Sequence, residues 1–426
     1  MQNEKYNDEL IRIYGNAETD IRQQTERYRA VQTGFENKFG ASPQYFCSAP
    51  GRVEIIGNHT DHNGGCVVAA AVNLDTIAAV TPNDAERIRL FSANYSAEMV
   101  EIDLQDLAVK ATEKNSTPAL LRGIAARFVQ LGYRIGGFEA YVASEVGIGS
   151  GLSSSAAFEV LVGTIFNALF NAGRVPAVEI AQIGQFAENE YFGKPCGLMD
   201  QLASAVGGMV LIDFKDRSRP EYEKIQIDLQ AQKYTLLIVD IQDSHADLTP
   251  DYAAIPQEMR AVCREFGAEQ CREIVAEDFY SKIAELRRKV GDRAILRCAH
   301  FFAENERVAG VKSALRSDDF AGFLALINDS GLSSLCWLEN CYPPHRPATQ
   351  GVSLGLFLTK DYFRDHNISG ACRVHGGGFA GSIIVFLPEE NLDDYRKFIE
   401  KVFNPGTAKS LRIRSAGTTY FRVNSK

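Results

Sequence analysis

The sequence predicts an α+β fold in two domains that meet near residue 205. Three observations predict it. The chain is 426 residues long, more than one domain's worth. Strand-like apolar runs and amphipathic helical segments are intermixed along it without a regular β–α–β rhythm. From about residue 255 to 329 the pattern turns mainly helical with charged faces, in a chain free of internal repeats, low-complexity tracts and Pro/Gly linkers.

The elements follow in order. Residues 4–38 place Leu10, Ile13, Tyr14, Ile21, Tyr28, Val31 and Phe35 at intervals that are mostly multiples of a helical turn, which predicts one or two amphipathic helices. A Gly/Asn-rich segment, 49–65, leads into an apolar strand-like run, 66–72. Residues 137–144 alternate as a half-buried strand does. A glycine and serine cluster at 147–155 opens a long apolar helix that Gly173 ends. Residues 179–193 form another helix, and 207–214 and 234–241 are strands. Beyond the charged helical stretch come a helix at 353–363, a second glycine cluster at 376–381, a buried strand at 381–387 and a last strand at 417–424.

Composition narrows the function. Lys plus Arg number 45 against 54 Asp plus Glu, a net charge of −9, so the basic footprint of a nucleic-acid partner is absent. The longest apolar runs are far short of a membrane span. The nine cysteines are scattered, odd in number and without a CxxC, as suits free thiols in a reducing compartment. The N-terminus is polar and acidic, unlike a signal or transit peptide, and a cytoplasmic location is expected.

Four features depart from ordinary packing. Residues 51–65 (GRVEIIGNHTDHNGG) interleave glycines with Arg52, Asn58, His59, Asp61 and His62. That mixture of donors and acceptors suits a polyhydroxylated ligand, since each buried hydroxyl needs a partner. An Asx-rich surface loop and a short metal cluster of His59, Asp61 and His62 stay open beside it. Residues 147–156 (GIGSGLSSSA) lie between a strand and a helix. Glycines there let backbone approach phosphate, the helix start offers unpaired N–H groups, and three serines add hydroxyls, which makes an anion cradle. The run lacks the GK[ST] of a Walker A loop, the third glycine of GxGxxG and the spacing of GxSxG. A capped helix after a flexible turn is its plain alternative. Residues 373–381 (RVHGGGFAG) run into an apolar strand and suggest close backbone approach to a ligand or another segment. Asp200 stands among apolar neighbours, the place of a helix cap or of a functional carboxylate.

In this order and at this spacing, the clusters resemble the motifs of the GHMP kinase family over nearly the whole chain. The first resembles the galactokinase-type signature, approximately GRxNLIGEHTDYNGG, and the second the phosphate loop PxGxGLSSSA. Residues 187–201 are similar to the segment ending in GIMDQ, and 373–381 to the third glycine-rich motif. The resemblance implies a two-domain GHMP kinase fold with the active site in the cleft between domains. Residues 1–205 would carry the sugar motif and phosphate loop, and 206–426 the third motif. It implies an ATP-dependent sugar 1-kinase that uses MgATP to phosphorylate the C1 hydroxyl of galactose. Asp200 matches the catalytic Asp, and Arg52 the Arg that keeps it ionised and steadies the phosphoryl group. Asn58, His59, Asp61, Gly197 and Tyr252 fall on sugar contacts. Gly147, Gly149, Ser150, Gly151, Leu152, Ser153, Ser154, Ser155 and Ala156 fall on the nucleotide loop, and Ser155 and Glu188 on magnesium ligands.

Departures bear on the sugar. Glu54 and Asn58 stand where the signature has Asn and Glu, and His62 where it has Tyr. Gly147, Ser150 and Ala380 replace Pro, Gly and Gly. Residues 116–123 lack a usual Trp segment, and 252–259 keep little of YNxRRxEC. Alternatives are therefore a GHMP kinase for an N-acetylhexosamine or a pentose, and a sugar- and ATP-binding sensor without turnover. A Rossmann oxidoreductase fails on the glycine spacing and lacks an acidic ribose partner.

Overall fold

In the computed structural model, which describes residues 6–93, 98–147, 151–194, 196–217, 219–242 and 248–423, helices α1 (Asn7–Tyr14) and α2 (Glu18–Phe39) lead the chain. Gly40 closes α2 in the left-handed conformation, as an αL cap does. Strands β1 (Tyr45–Ile56), β2 (Cys66–Pro82), β3 (Arg87–Ser92) and β4 (Met99–Asp103) follow. Next come α3 (Thr117–Gln130), β5 (Phe138–Ser144), α4 (Ser154–Phe170), α5 (Ala177–Phe186) and α6 (Met199–Val206). Strands β6 (Met209–Asp213), β7 (Glu221–Ile225) and β8 (Tyr234–Asp240) precede the helical stretch α7 (Thr249–Arg264), α8 (Ala276–Ser281), α9 (Ile283–Lys289), α10 (Asp292–Arg316) and α11 (Phe320–Ser333). The chain ends with α12 (Gly351–Asp365), β9 (Ala371–His375), β10 (Ser382–Pro388), α13 (Leu392–Phe403), β11 (Ala408–Leu411) and β12 (Thr419–Arg422).

The strands make two sheets. The first runs β12-β1-β2-β5-β3-β4, with β6 also on β2 and β7 on β6. Strand β2, 17 residues long, outruns β5: Thr76–Pro82 pair with β5, while Cys66–Ala70 pair with β6. The second sheet is β11-β8-β10-β9. Because β6 and β7 lie past residue 205 and β12 is near the C-terminus, the sheets do not part at residue 205. The chain crosses over and back between them.

Period-2 alternation explains how a nearly continuous apolar strand fills two cores. In β8, Leu236 and Ile238 face Phe323 and the α10 side, while Leu237 and Val239 face Leu356 of α12 and Ile399 of α13. The first of these cores also takes Val53, Ile55, Val68 and Ala70 of β1 and β2, so the two sheets meet through shared apolar packing. Helices α3 to α6 cover one face of the first sheet, with Phe128, Phe138 and Phe166 in the layer between. Helices α1 and α2 contribute Leu10, Ile13, Tyr28 and Phe35 to a separate cluster with Phe46 and Ile77.

Beside that cluster Asp75 is fully buried and accepts from Tyr14 (2.6 Å), Ser48 (2.5 Å), Arg27 (2.5 Å) and Arg414 (2.7 Å). Burial pushes its carboxyl up, but the two arginines and the hydroxyls outweigh that and hold it below the usual range. This network ties α1, α2, β1 and β2 to the C-terminal tail.

Candidate active site

The site begins with irregular pairing in β1. Its register on β2 shifts between Pro50 and Arg52 and again between Glu54 and Ile56, and such irregularities re-aim side chains. The alternative of an Asx-rich surface loop over 51–65 does not hold for its first half. Residues 49–56 continue the strand, fully buried because the chain packs on both of its faces, and only the segment after Ile56 turns.

Arg52 projects to the short helix α6. Its Nε donates to Asp200 Oδ1 and its Nη2 to Oδ2, each at 2.6 Å. Its Nη1 donates to the Gly151 carbonyl (2.6 Å) and its backbone N–H to the Leu152 carbonyl (3.0 Å). Ser153 Oγ donates to Asp200 Oδ2 at 2.7 Å. Arg52 is almost fully covered, whereas the Asp200 side chain keeps 29% exposure. Burial pushes the Asp200 carboxyl up, but the Arg52 charge with its two hydrogen bonds and the Ser153 bond pull it below the usual carboxylate range. Asp200 is therefore an ionised acceptor at neutral pH, in the first turn of α6.

The segment expected to form the nucleotide loop lies between β5 and α4 in the chain. Gly147 ends the described part before it; Gly149 and Ser150 lie outside the described residues. Gly151 has φ +79°, and a Cβ there would meet Ser382 Oγ at 2.4 Å, so only glycine fits. Leu152 is buried and anchors the loop in the core. Ser153, at the cap position of α4, is itself left-handed (φ 58°), and the helix has no side-chain cap. The α4 N-terminus, at Ser154, Ser155 and Ala156, thus keeps the amide-rich, electropositive start that binds anions.

Glu188 lies where the helix expected over 179–193 changes pitch. Helix α5 stops at Phe186 and a π-helical turn, Ala187–Phe192, carries Glu188 into the interior. Such turns recur at functional sites. Gln201 Nε2 donates to Glu188 Oε2 and to Glu159 Oε2, 2.9 Å each. Glu159 lies one turn along α4 from Ser155, so one amide group links Glu188 to the Ser155 end of the helix. Burial, then the Glu188 charge, push the Glu159 carboxyl well above its usual range, and its Oε1 is buried without a partner. Ser155 and Glu188 offer a hydroxyl and a carboxylate, hard oxygen donors of the kind that Mg²⁺ takes. Lys194 pairs with Glu188 at 3.0 Å, from a side chain 61% exposed that solvent can also hold.

Past Ile56 the chain turns into a cleft of about 190 Å³ whose lining includes Arg52, Glu54, His59, Asp61, Gly197 and Asp200. That volume suits a small polar ligand, below the range of about 300–1,000 Å³ usual for drug-sized sites. Helix α10 holds the turn: Glu304 Oε1 accepts from Gly57 N–H (2.9 Å), and His300 Nε2 bonds the Asn58 carbonyl (2.9 Å). Asp61 Oδ2 would lie 2.1 Å from a Cβ at Gly197, so glycine there lets the carboxylate close on the neighbouring segment. Burial raises the Asp61 carboxyl to about 6; the His62 backbone bond lowers it and the Asp200 charge raises it further. His59 and His62 bond each other (Nδ1 to Nε2, 3.1 Å), and His59 Nε2 bonds the Gly377 carbonyl (2.9 Å). The short metal cluster is thus not formed, and no group of three or more His, Cys, Asp or Glu suited to a metal gathers among the described residues.

Asn58 also lines the cleft, with its amide already bonded to Glu54, Gly376 and Asn340. Tyr252 packs under the third glycine motif: its hydroxyl donates to the Gly378 carbonyl (3.0 Å), its ring is perpendicular to Phe379, and a Cβ on Gly377 would strike it at 2.5 Å. Sequence reasoning missed three parts. These are the Glu54–Arg373 ion pair (2.9 Å), His375 accepting from Glu54 N–H (2.9 Å), and the Glu304 and His300 props. A buried-looking charge in Val53–Ile55 was the one local signal for the first; the others are long-range pairings.

The fold and this arrangement of cradle, paired carboxylate and cleft define a GHMP kinase. Residues 119–208 match the family model for the GHMP kinases N terminal domain, and residues 33–82 that for the galactokinase galactose-binding signature. A galactokinase of Streptomyces coelicolor is 32% identical over 389 residues, 90% of this chain and 94% of that one. One from Glaesserella parasuis is 31% identical, over 88% and 94%. The crystal structure of Lactococcus lactis galactokinase complexed with galactose superposes with a TM-score of 0.78 at 25% identity, over 93% of this chain and 100% of that chain. A mevalonate kinase shares the fold, with a TM-score of 0.59 and 16% identity. The chain belongs to the galactokinase family, and it is an ATP-dependent sugar kinase.

Proposed function

We propose that the chain transfers the γ-phosphoryl group of ATP to the C1 hydroxyl of galactose, giving galactose 1-phosphate and ADP. The observation that carries this reading is the Arg52–Asp200–Ser153 arrangement at the edge of a polar, sugar-sized cleft, directly beside the α4 N-terminus. The L. lactis galactokinase that shares the fold was solved with galactose, which supports the sugar. Asp200, kept ionised, is a weak base. It orients the hydroxyl and receives its proton late, as the phosphorus–oxygen bond forms. Arg52 fixes that carboxylate and supplies positive charge beside the reacting oxygens. The loop from Gly147 to Ala156, with Gly149, Ser150, Gly151, Leu152, Ser153, Ser154 and Ser155, would cradle the phosphates through backbone N–H groups and hydroxyls.

Ser155 and Glu188 would hold Mg²⁺, and the hard donor set supports this. When bound, the ion neutralises phosphate charge. His59, Asp61 and Gly197 would meet sugar hydroxyls. Tyr252 and Asn58 would shape the cleft wall through the third motif. A cytoplasmic site of action is supported by nine cysteines that are all free. Among the described residues no helix is long and apolar enough to cross a membrane.

The test is ADP release with MgATP against galactose, glucose, N-acetylgalactosamine, N-acetylglucosamine and arabinose. Turnover of galactose well above the others is expected. Preference for another sugar would overturn the galactose assignment and keep the kinase. Binding of galactose without ADP release would make the chain a sensor.

A further inference from the structure

The cleft holds one acidic side chain that the sequence motifs do not assign, and its geometry differs from that of its neighbour. Asn58 Nδ2 donates to Glu54 Oε1 (2.9 Å) and to the Gly376 carbonyl (2.7 Å), and Oδ1 accepts from Asn340 Nδ2 (2.7 Å). A carboxamide has two N–H groups, so Asn58 has none left for a ligand, and the residue is 1% exposed. Glu54 lines the same cleft. Its Oε1 takes the Asn58 bond and the Arg373 ion pair (2.9 Å). Its Oε2 makes no hydrogen bond among the described residues and is not sealed in the interior. That oxygen therefore reaches the cleft.

We propose that Glu54 Oε2 accepts a hydrogen bond from a hydroxyl of the bound sugar other than the reacting one, so that Glu54 is the residue that discriminates among sugars at this wall of the cleft. The inference rests on the sugar-kinase reading above. Three features carry it. The carboxylate is oriented in advance by Arg373 and Asn58, both anchored in the interior, so little ordering is needed on binding. Its backbone N–H is fixed by His375 (2.9 Å), which pins the strand beneath it. A buried acceptor left unpaired is costly, and a site built around a substrate hydroxyl rejects the analogue that lacks it.

The experiment is calorimetric binding of galactose and its 2-, 3-, 4- and 6-deoxy analogues to the full chain, for the wild type, Glu54→Gln and Glu54→Asp. In the wild type, the analogue lacking the hydroxyl that Glu54 meets should bind about 10- to 100-fold more weakly than galactose. In Glu54→Gln the Kd for galactose should rise by a similar factor, while the Kd for that one analogue stays unchanged. Glu54→Asp keeps the charge for Arg373 but withdraws the oxygen, and should give the same pattern should the Gln variant fail to fold. Equal weakening of every sugar, or no weakening, overturns the proposal while leaving the kinase reading intact. Failure of the wild type to bind any of these sugars overturns both.

Discussion

Arg52 holds both oxygens of Asp200 in a two-pronged grip, 2.6 Å on each side, across 148 residues of chain. The grip sets the chemistry. In the proposed reaction an aspartate held this firmly ionised would accept a proton only late, so its work would be mostly orientation, and charge neutralisation would fall to Arg52 and to the proposed phosphate cradle. Asp200→Asn keeps the shape and removes the acceptor. It should cut kcat by about 10²–10⁴-fold with the melting temperature little changed. The coupled ADP assay and a thermal melt, run side by side, check this; near-normal turnover would remove Asp200 from the mechanism.

Glu188→Gln takes away one of the two groups proposed to hold magnesium and leaves the Gln201 contact possible. The free Mg²⁺ needed for half-maximal rate should rise about 10- to 100-fold. Titrating Mg²⁺ at fixed ATP measures it, and an unshifted midpoint would place the ion elsewhere.

Asp61, in its proposed contact with the sugar, should give the site an acid limit. Its carboxyl is raised to about 6, chiefly by burial. The folded chain binds that proton more tightly than the unfolded chain, so the stability it contributes is full at low pH and lost as pH rises through about 6. In the proposed sugar contact binding runs the other way, because the ionised form accepts charge-assisted hydrogen bonds at both oxygens and the protonated form only a weaker, uncharged one. The sugar kcat/KM should therefore fall about tenfold per pH unit below about 6, and Asp61→Asn should be slow but free of that limb. A wild-type profile flat down to pH 5 would refute the assignment.

Glu304 props the sugar-motif turn from α10. Burial pushes its carboxyl up, but His300, Arg307 and Arg373 together with the Ser330 bond pull it down to about 2. Being depressed, it stabilises the fold above its ordinary value of 4.5, and that contribution is lost as pH falls toward 2. Glu304→Ala leaves Arg307 without its 2.7 Å partner and Gly57 N–H without an acceptor. It should cost about 3–5 kcal/mol, read by urea unfolding. A loss under about 1 kcal/mol would mean the turn supports itself.

Much of the site was legible because its chemistry is local. The glycines and serines of 147–156 and the isolated Asp200 stand out wherever they occur, and α4 is apolar enough to be read as a buried helix. Three things were not legible. Strand β1 runs through Pro50 and Gly51, residues that normally end a strand, because β2 pairs with it on both sides of the irregularity. The π-helical turn at Ala187–Phe192 has no sequence signature, since it arises where the segment packs on α3 and α5. Glu54 meets Arg373 and His375 from the far end of the chain, and no window of sequence contains that pairing.

Strand β12 closes the edge of the first sheet on β1, and Thr418 bonds Ser48 across 370 residues. During synthesis the N-terminal sheet cannot acquire that edge until residues 419–422 have emerged. Until then β1 presents an unpaired strand edge, the kind of surface on which nascent chains misassociate. A ribosome stalled before codon 419 would thus hold most of a kinase with an open flank, and chains cut short before residue 419 should be lost to aggregation before they are lost to catalysis.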